Sequence, residues 1–364
     1  MILAGKPLAR INLAALRHNL ERARQLAPGS KQMAVIKANA YGHGVVQVAK
    51  ALDRADMLAV ARIDEAVQLR EAGIDKPLAV LEGFFDPDEI RLALQYELQA
   101  VIHQSYQIDL LQQFADQHSG KLQLWLKIDT GMHRLGIPPG QVHAAYEKLW
   151  QLEVVDSLSL MTHLANADDV NDEASQLQIK VFKNAIAGLT GEQSIANSAG
   201  IVAWPDARSD WVRPGIMLYG SSPLLHSNAV DHQLQPVMTL SSQLIAINQL
   251  NKGDCVGYGG SWCCPQDMPV GVVSIGYGDG YPRHAPSGTP VLVNGQRCPL
   301  VGRVSMDMVT VDLLGVSAQI GDEVILWGDG LPVDEIATAA GTISYELLCG
   351  VTSRVQFVYS DNGD

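Results

Sequence analysis

Hydrophobic and polar residues alternate in blocks over most of the chain. From Leu8 to about Gly220, short apolar runs are followed by stretches in which apolar residues recur at every third or fourth position, the pattern of an amphipathic helix. The first such stretch is predicted to begin at Asn12, a good N-cap residue, and to end before Pro28. The apolar runs are predicted to be strands, at 33–37, 57–61, 77–83, 98–102, 122–129, 158–163, 194–198 and 211–220.

Eight strands alternating with helices predict a (β/α)₈ TIM-type barrel. A doubly wound open sheet is the competing architecture. It would favour a G-x-G-x-x-G phosphate loop after the first strand, and none follows there. The barrel is therefore the preferred prediction.

The pattern changes after Gly220. Glycines are concentrated between Gly253 and Gly302, and β-branched runs are separated by turns. The triplet VNG at 293–295 is typical of a hairpin turn, and one or two short helices are expected near 333–341. We therefore predict two domains, a barrel over residues 1–230 and a β-rich domain over residues 231–364.

Length and charge narrow the class of protein. The chain has 364 residues and a formal net charge of −13. The acidic balance argues against nucleic acid or an anionic membrane as a partner, and no apolar run reaches the roughly 18 residues of a membrane span. No signal peptide is recognisable. The five cysteines contain no Cys-x-x-Cys, so we expect free thiols, a cytoplasmic location and no metal site.

Polar residues cluster where the predicted barrel strands end, which is where barrel enzymes place their active sites. Several of them also have a structural interpretation. His163 is also compatible with a core histidine, Lys127 and Asp129 with an ion pair, Arg213 with a buried ion pair and Asn197 with a turn. These polar residues are all predicted at the same end of one barrel, and this favours a functional site. The residues at or just after the strand ends are Lys37, Leu81, Lys127, Asp129, Arg134, His163, Asn197, Ser198, Arg213 and Gly215.

Two features of this cluster indicate a cofactor. A lysine on a barrel strand is the usual means of holding an aldehyde cofactor as a Schiff base. The loops after the seventh and eighth strands are the common phosphate site of barrels, and here they contain Ser198, Gly215 and Ile216. Together they indicate pyridoxal 5′-phosphate, with its aldehyde on Lys37.

Six motifs in order resemble those of the alanine racemases, which are fold-type III pyridoxal-phosphate enzymes. They are VIKANAYGHG (35–44), KIDTGMHRLG (127–136), WVRPGIMLYG (211–220), VGYGGSW (256–262), GYGDGYPR (276–283) and VGRVSMDM (301–308). The resemblance runs nearly end to end. It implies racemisation of alanine and a homodimer in which the partner's β domain completes each active site.

The resemblance also assigns roles to individual residues. It implies that Lys37 holds the cofactor and acts as one base, and that Tyr258 of the partner is the other. It places His163 and Arg213 as a link from Tyr258 to the pyridine nitrogen, Arg134 at the phenolic oxygen and the substrate carboxylate, and Lys127 as a carbamylated lysine that orients Arg134. The remaining assignments are phosphate contacts at Tyr41, Ser198, Gly215, Ile216 and Tyr345, partner residues of the substrate pocket at Met306 and Asp307, and the access channel at Tyr277 and Tyr281.

Three other functions stay open. The substrate range could extend to serine. A decarboxylase of the same fold would put a carboxylate beside the pyridine nitrogen, where this chain has Arg213, which only donates hydrogen bonds. A carrier of pyridoxal phosphate without turnover would need no second base such as Tyr258.

Overall fold

The computed structural model describes residues 5–115 and 120–361. The chain begins with β1 (Leu8–Asn12) and α1 (Leu13–Leu26). Asn12 caps this helix as predicted, because its side-chain oxygen accepts a hydrogen bond from the backbone N–H of Ala15 at 2.9 Å.

Eight parallel strands close into a barrel, which confirms the predicted (β/α)₈ architecture. The strands are β2 (Lys31–Val35), β3 (Met57–Val60), β4 (Leu78–Val80), β5 (Gln99–Ile102), β6 (Leu122–Lys127), β7 (Val155–Met161), β8 (Gln193–Asn197) and β9 (Trp211–Arg213). The helical segments are α2 (Lys37–Tyr41), α3 (Val45–Ala51), α4 (Ile63–Glu71), α5 (Pro87–Gln95), α6 (Ser105–Ala115), α7 (Val142–Trp150), α8 (Ala174–Ala185) and α9 (Ser198–Ala203).

The barrel strands are apolar along their whole length because both of their faces are covered. All four residues of β3 are buried, for example. The last strand is shorter than predicted. It ends at Arg213 because Pro214 carries no N–H to continue the ladder, and a 3₁₀ turn over Ile216–Tyr219 follows.

The second half of the chain is a mainly β domain, as predicted. Its elements are β10 (Met238–Leu250), β11 (Cys255–Val256), β12 (Trp262–Cys263), β13 (Met268–Val273), β14 (Pro290–Val293), β15 (Gln296–Pro299), β16 (Val309–Asp312), β17 (Glu323–Trp327), α10 (Val333–Ala340), α11 (Ser344–Cys349) and β18 (Gln356–Ser360). The VNG hairpin is confirmed, since Asn294 and Gly295 join β14 to β15 with φ of 49° and 77°, as a type I′ turn requires.

The N-terminal strand β1 belongs to the sheet of the β domain. It pairs antiparallel with β10 and parallel with β18, within the order β15-β14-β17-β10-β1-β18. The sequence pattern did not predict this strand, and the boundary at 230–231 stays a prediction. One cluster of buried apolar side chains extends from the barrel into this sheet, with Ile11 fully buried in it.

The cysteines correct one expectation. β11 and β12 are antiparallel, and their register places Cys255 opposite Cys263. The two form a disulfide, with Cα atoms 3.9 Å apart, whereas Cys264, Cys298 and Cys349 are free. The prediction of five free thiols is therefore wrong, and cysteine content no longer supports a reducing compartment. Within 5–115 and 120–361, none of the helices has the length and apolar character needed to cross a membrane.

Candidate active site

A cavity of about 840 Å³ opens at the carboxyl ends of the barrel strands. It is bounded by the barrel on one side and by α10 and α11 of the β domain on the other. Most of the predicted site residues line it, namely Lys37, Tyr41, Leu81, Lys127, Arg134, His163, Asn197, Ser198, Arg213, Gly215, Ile216 and Tyr345.

Lys37 follows β2 at the start of an unusual turn. The next four residues, 38–41, all have φ between 50° and 54°, which is the left-handed helical region. This conformation costs roughly 1–2 kcal/mol for each residue that has a side chain, so the surrounding structure must hold it. Lys37 and Tyr41 lie at the two ends of this turn, and both face the cavity.

His43 stabilises this turn by hydrogen bonding to its backbone. Its Nδ1 lies 3.1 Å from the carbonyl oxygen of Ala40 and 2.9 Å from that of Tyr41. Complete burial lowers the pKa of His43 to about 4, so the ring is neutral and Nδ1–H donates to these carbonyls. The ring of Tyr219 stacks on that of Tyr41, with centroids 4.6 Å apart, and its centroid also lies 4.6 Å from that of the tilted His43 ring. His43 was not predicted as a site residue.

Four cations face the cavity, Lys37, Lys127, Arg134 and Arg213. Among the residues that the structure describes, no carboxylate oxygen lies within 4.0 Å of any of them. The proposed ion pair of Lys127 with Asp129 is therefore absent, and Asp129 contacts His133 instead. Burial, followed by the charges of Arg213, Arg134 and Lys37, lowers the pKa of Lys127 to about 8. The cavity is suited to an anionic ligand.

Arg213 is held by neutral acceptors. Its guanidinium donates to Ser194 Oγ at 2.6 Å and to the carbonyl oxygens of Thr162 at 2.5 Å and Ile195 at 3.2 Å. It also lies 3.4 Å from Nδ1 of His163. Burial lowers the pKa of Arg213 to about 10, which still leaves it protonated at neutral pH. Burial and the charge of Arg213 lower the pKa of His163 well below its usual range, so its imidazole is neutral.

Small and hydroxyl-bearing residues meet at one end of the cavity. Ser198 Oγ accepts a hydrogen bond from the N–H of Gly215 at 2.8 Å. A Cβ on Gly215 would lie 2.8 Å from the hydroxyl oxygen of Tyr41, so only glycine fits there. Asn197 caps α9 by accepting from the N–H of Gly200 at 2.9 Å, which agrees with its structural interpretation. Tyr345 lies beside Tyr41, with ring centroids 5.9 Å apart.

Apart from Tyr345, four predicted site residues of the β domain do not line this cavity of their own chain, namely Tyr258, Tyr277, Met306 and Asp307. Tyr258 lies in the turn between β11 and β12 with 68% of its surface exposed. Met306 and Asp307 are also exposed, and Tyr277 adjoins their segment, since its N–H donates to the carbonyl oxygen of Ser305 at 3.0 Å. These residues form a separate surface.

Tyr281 is not placed as predicted. It is 1% exposed, and its ring stacks on Trp327 with centroids 6.1 Å apart. The structure therefore places Tyr281 in the core of the β domain instead of in an access channel.

Sequence reasoning missed several residues that line the cavity. The segment 222–227 matched no motif, yet it forms part of the wall together with Asp168 and Asp334. Burial raises the pKa of Asp334, which accepts hydrogen bonds from Ser221 Oγ and from the N–H of Ser222. Cys349 also lines the cavity. Its spacing of four from Tyr345 along α11 was the signal that could have found it.

Comparison with known proteins agrees with this geometry. The family model "Alanine racemase, N-terminal domain" matches residues 11–223, and "Alanine racemase, C-terminal domain" matches residues 237–359. An alanine racemase of Coxiella burnetii (strain CbuG_Q212) is 53% identical over 361 residues, covering 97% of this chain and 99% of the relative. One from Vibrio cholerae is 49% identical over 358 residues and covers 98% of each.

Solved structures give the same result. The crystal structure of biosynthetic alanine racemase from Pseudomonas aeruginosa has a TM-score of 0.94 and 44% identity, covering 98% of this chain and 99% of that one. The structure from Acinetobacter baumannii has a TM-score of 0.92 and 39% identity with the same coverage. The chain therefore belongs to the alanine racemase family of amino-acid isomerases.

Proposed function

We propose that the chain interconverts L-alanine and D-alanine with pyridoxal 5′-phosphate, as a homodimer in which each active site uses residues of both subunits. Family membership establishes alanine racemisation, and the cofactor, the two bases and the shared site are the proposal. The observation that carries it is Lys37, which faces a cavity with three further cations and has no carboxylate oxygen within 4.0 Å among the described residues.

The residues present fit the cofactor. The Lys37 amine would hold the aldehyde, and the four cations, which have no carboxylate within 4.0 Å among the described residues, would suit an anionic phosphate and phenolate. Gly215 allows the hydroxyl of Tyr41 to approach its backbone closely, and Ser198, Ile216 and Tyr345 line the same cavity, where they would contact the phosphate. When bound, pyridoxal phosphate withdraws electrons from the substrate amino acid and so acidifies its Cα–H.

Two bases then act on opposite faces of the substrate. Lys37 takes or returns the proton at Nζ on one face, and the phenol oxygen of Tyr258 from the partner subunit does so on the other. A single base would have to move between the two faces of the substrate. The exposure of Tyr258 in the isolated chain supports its use by the partner.

Arg213 favours racemisation over decarboxylation. It is buried, protonated and surrounded by neutral acceptors, so it offers only hydrogen-bond donors to a pyridine nitrogen. Held by Arg213, a bound cofactor would withdraw electrons only moderately, which would favour return of a proton to Cα over loss of CO₂. A fold-type III decarboxylase would need a carboxylate at this place.

Lys127 is proposed to carry a carbamate. A lysine with a pKa of about 8 is partly neutral at physiological pH, and the neutral amine attacks the carbon of CO₂. A new N–C bond forms as one C–O π bond of CO₂ opens to an oxyanion, and the attacking amine loses one proton. Together with the proton lost before the attack, this turns the lysine cation into a carbamate anion. The anion would orient Arg134, which binds the phenolic oxygen and the substrate carboxylate.

We propose a cytoplasmic enzyme that supplies D-alanine for cell-wall synthesis. One similar structure is described as biosynthetic, which supports this direction. A pyridoxal phosphate carrier is disfavoured because it has no use for the exposed Tyr258.

A racemisation screen over small L- and D-amino acids tests the reaction. We expect turnover of alanine, with serine slower, and one cofactor fixed per chain after borohydride reduction. Lys37→Ala should abolish both, whereas Lys180→Ala, on the exposed side of α8, should change neither. Normal activity and covalent cofactor in Lys37→Ala would refute the assignment.

Subunit exchange tests the shared site. Mixing Lys37→Ala with Tyr258→Phe chains and allowing random exchange should restore about a quarter of the parent activity, because half of the dimers carry one intact site. No recovery after exchange has been verified by mass spectrometry would refute shared sites.

A further inference from the structure

Three segments of the β domain meet behind Met306 and Asp307: residues 276–280, 305–307 and 350–354. The N–H of Gly278 donates to the carbonyl oxygen of Met306 at 2.8 Å. The hydroxyl of Thr352 donates to the carbonyl oxygen of Gly278 at 3.0 Å. The segment 276–280 therefore lies between the other two and contacts both.

Arg354 joins these segments through two carboxylates. Its Nε lies 3.1 Å from Asp279 Oδ1, and its Nη2 lies 2.6 Å from Asp307 Oδ1. The side chain of Asp279 is only 3% exposed, and its other oxygen accepts from the N–H of Gly276 at 3.0 Å. A buried carboxylate requires such a charged partner, so the guanidinium is fixed on Asp279 and presents its remaining edge to Asp307.

The packing leaves little freedom for these segments to shift. A Cβ on Gly278 would lie 2.7 Å from Nη1 of Arg354. A Cβ on Gly280 would lie 2.3 Å from the carbonyl oxygen of Gly350. The backbone of 276–280 is thus in direct contact with the segment that carries Arg354, and a displacement of the guanidinium is transmitted to 305–307.

We propose that Arg354 is a positioning residue for the substrate pocket, which holds the Met306–Asp307 segment in the orientation that the partner subunit's active site requires. This rests on the proposed function, in which that segment enters the partner's site. Only arginine can bridge both carboxylates, because its planar fork donates in two directions from a fixed position, whereas a lysine ammonium is a single point charge.

The proposal predicts an effect in one site of the dimer only. Arg354 should act on the site that receives its own Met306–Asp307 segment, which is the partner's, and leave the cofactor cavity of its own chain unchanged. A merely structural role would affect both sites, since a loosened β domain also carries α11 with Tyr345 and Cys349.

Tagged heterodimers with a single active site test this difference. The reference pairs a Lys37→Ala chain with an unaltered chain, so the working site takes its Met306 and Asp307 from the Lys37→Ala chain. Adding Arg354→Met to the Lys37→Ala chain should raise KM for alanine about tenfold. Adding it to the other chain should leave KM within about twofold of the reference. The affinity for pyridoxal phosphate, measured by fluorescence titration, should be unchanged in both.

Two further variants complete the design. Arg354→Lys in the first arrangement should give a smaller rise in KM, and it replaces Arg354→Met if that variant fails to fold. Arg10→Met removes a comparable half-exposed ion pair with Glu323, remote from the cavity, and should leave KM unchanged in either chain. Equal effects in both arrangements, or none in either, would overturn the positioning role. The reverse pattern, with KM raised only when Arg354→Met is in the chain that keeps Lys37, would instead refute the shared site itself.

Discussion

The lowered pKa of Lys127 predicts that this residue destabilises the protein without its ligands. The side chain is 9% exposed, and its pKa falls from 10.5 to about 8. That difference corresponds to about 3 kcal/mol of folding free energy, since one pKa unit is worth about 1.4 kcal/mol. Lys127→Met keeps the length of the side chain and removes the charge. We expect the variant to be more stable than the parent by up to about 3 kcal/mol at pH 7.

The sign of the pH dependence follows from the same values. The unfolded chain binds a proton on Lys127 below about pH 10.5, whereas the folded chain does so only below about pH 8. Stability is therefore lost as the pH falls from 10.5 to 8, and the loss is complete below pH 8. The advantage of Lys127→Met should be full at pH 7 and fall to about 1 kcal/mol or less at pH 10.

Urea unfolding of the cofactor-free protein measures this difference. The protein concentration is kept fixed because a dimer's stability depends on it, and the buffers are free of CO₂. Lys121→Met is a matched control, since that lysine is exposed and lies just before the same strand, β6. Equal stability of Lys127→Met and the parent at both pH values, or an advantage that grows with pH, would refute the electrostatic reasoning.

Adding bicarbonate distinguishes the effect of a carbamate on Lys127 from the effect of the positive charge of this lysine. A carbamate on Lys127 removes the fourth cation and should stabilise the parent chain but not Lys127→Met. Carbon-13 bicarbonate should also give a carbamate NMR signal that the variant lacks. Absence of both effects would refute carbamylation and leave the lowered pKa untouched.

Three further substitutions test other parts of the site. Gly215→Ala places a Cβ 2.8 Å from the hydroxyl of Tyr41 and should weaken pyridoxal phosphate binding about tenfold in fluorescence titration, whereas an unchanged Kd would contradict the phosphate assignment. Tyr258→Phe should slow Cα–H exchange from L-alanine more than from D-alanine in deuterium oxide, and equal losses would count against the two-base scheme. Arg213→Glu should slow racemisation and raise the ratio of pyruvate formed to alanine racemised, because a carboxylate stabilises a protonated pyridine nitrogen; an unchanged ratio with cofactor bound would exclude Arg213 as its partner.

The barrel and much of its cavity were predictable because their signals are local. Helical periodicity and apolar runs gave the strands, and Lys37, Lys127 and His163 were found because each stands at or just beyond a strand end. Their convergence then follows from closure of the barrel.

Features that depend on how separate strands pair and align with each other were not predictable from the sequence. β1 pairs with β10 and β18, more than 200 residues away in sequence, and no local pattern encodes that choice. The disulfide of Cys255 with Cys263 likewise depends on the alignment of two very short strands. The direction of the backbone explains why Tyr281 lies in the core and not in the predicted access channel. Gly280, with φ of 106°, turns the chain so that Tyr281 enters the core although Tyr277 is exposed.

The chain as a whole is negatively charged, whereas the strand-end cavity contains four cations. The charge of the cavity decides which ligand binds there. A net charge of −13 is spread over a surface where salt screens it within about 10 Å, whereas the cations of the cavity act at short range in a partly buried space. Arg213, with a pKa of about 10, stays charged at neutral pH, whereas Lys127, with a pKa of about 8, is partly deprotonated. A carboxylate beside either of them would cancel the attraction for an anionic ligand. On the proposed function, Arg213 would therefore keep its charge beside the cofactor ring, whereas Lys127 would be available to react with CO₂.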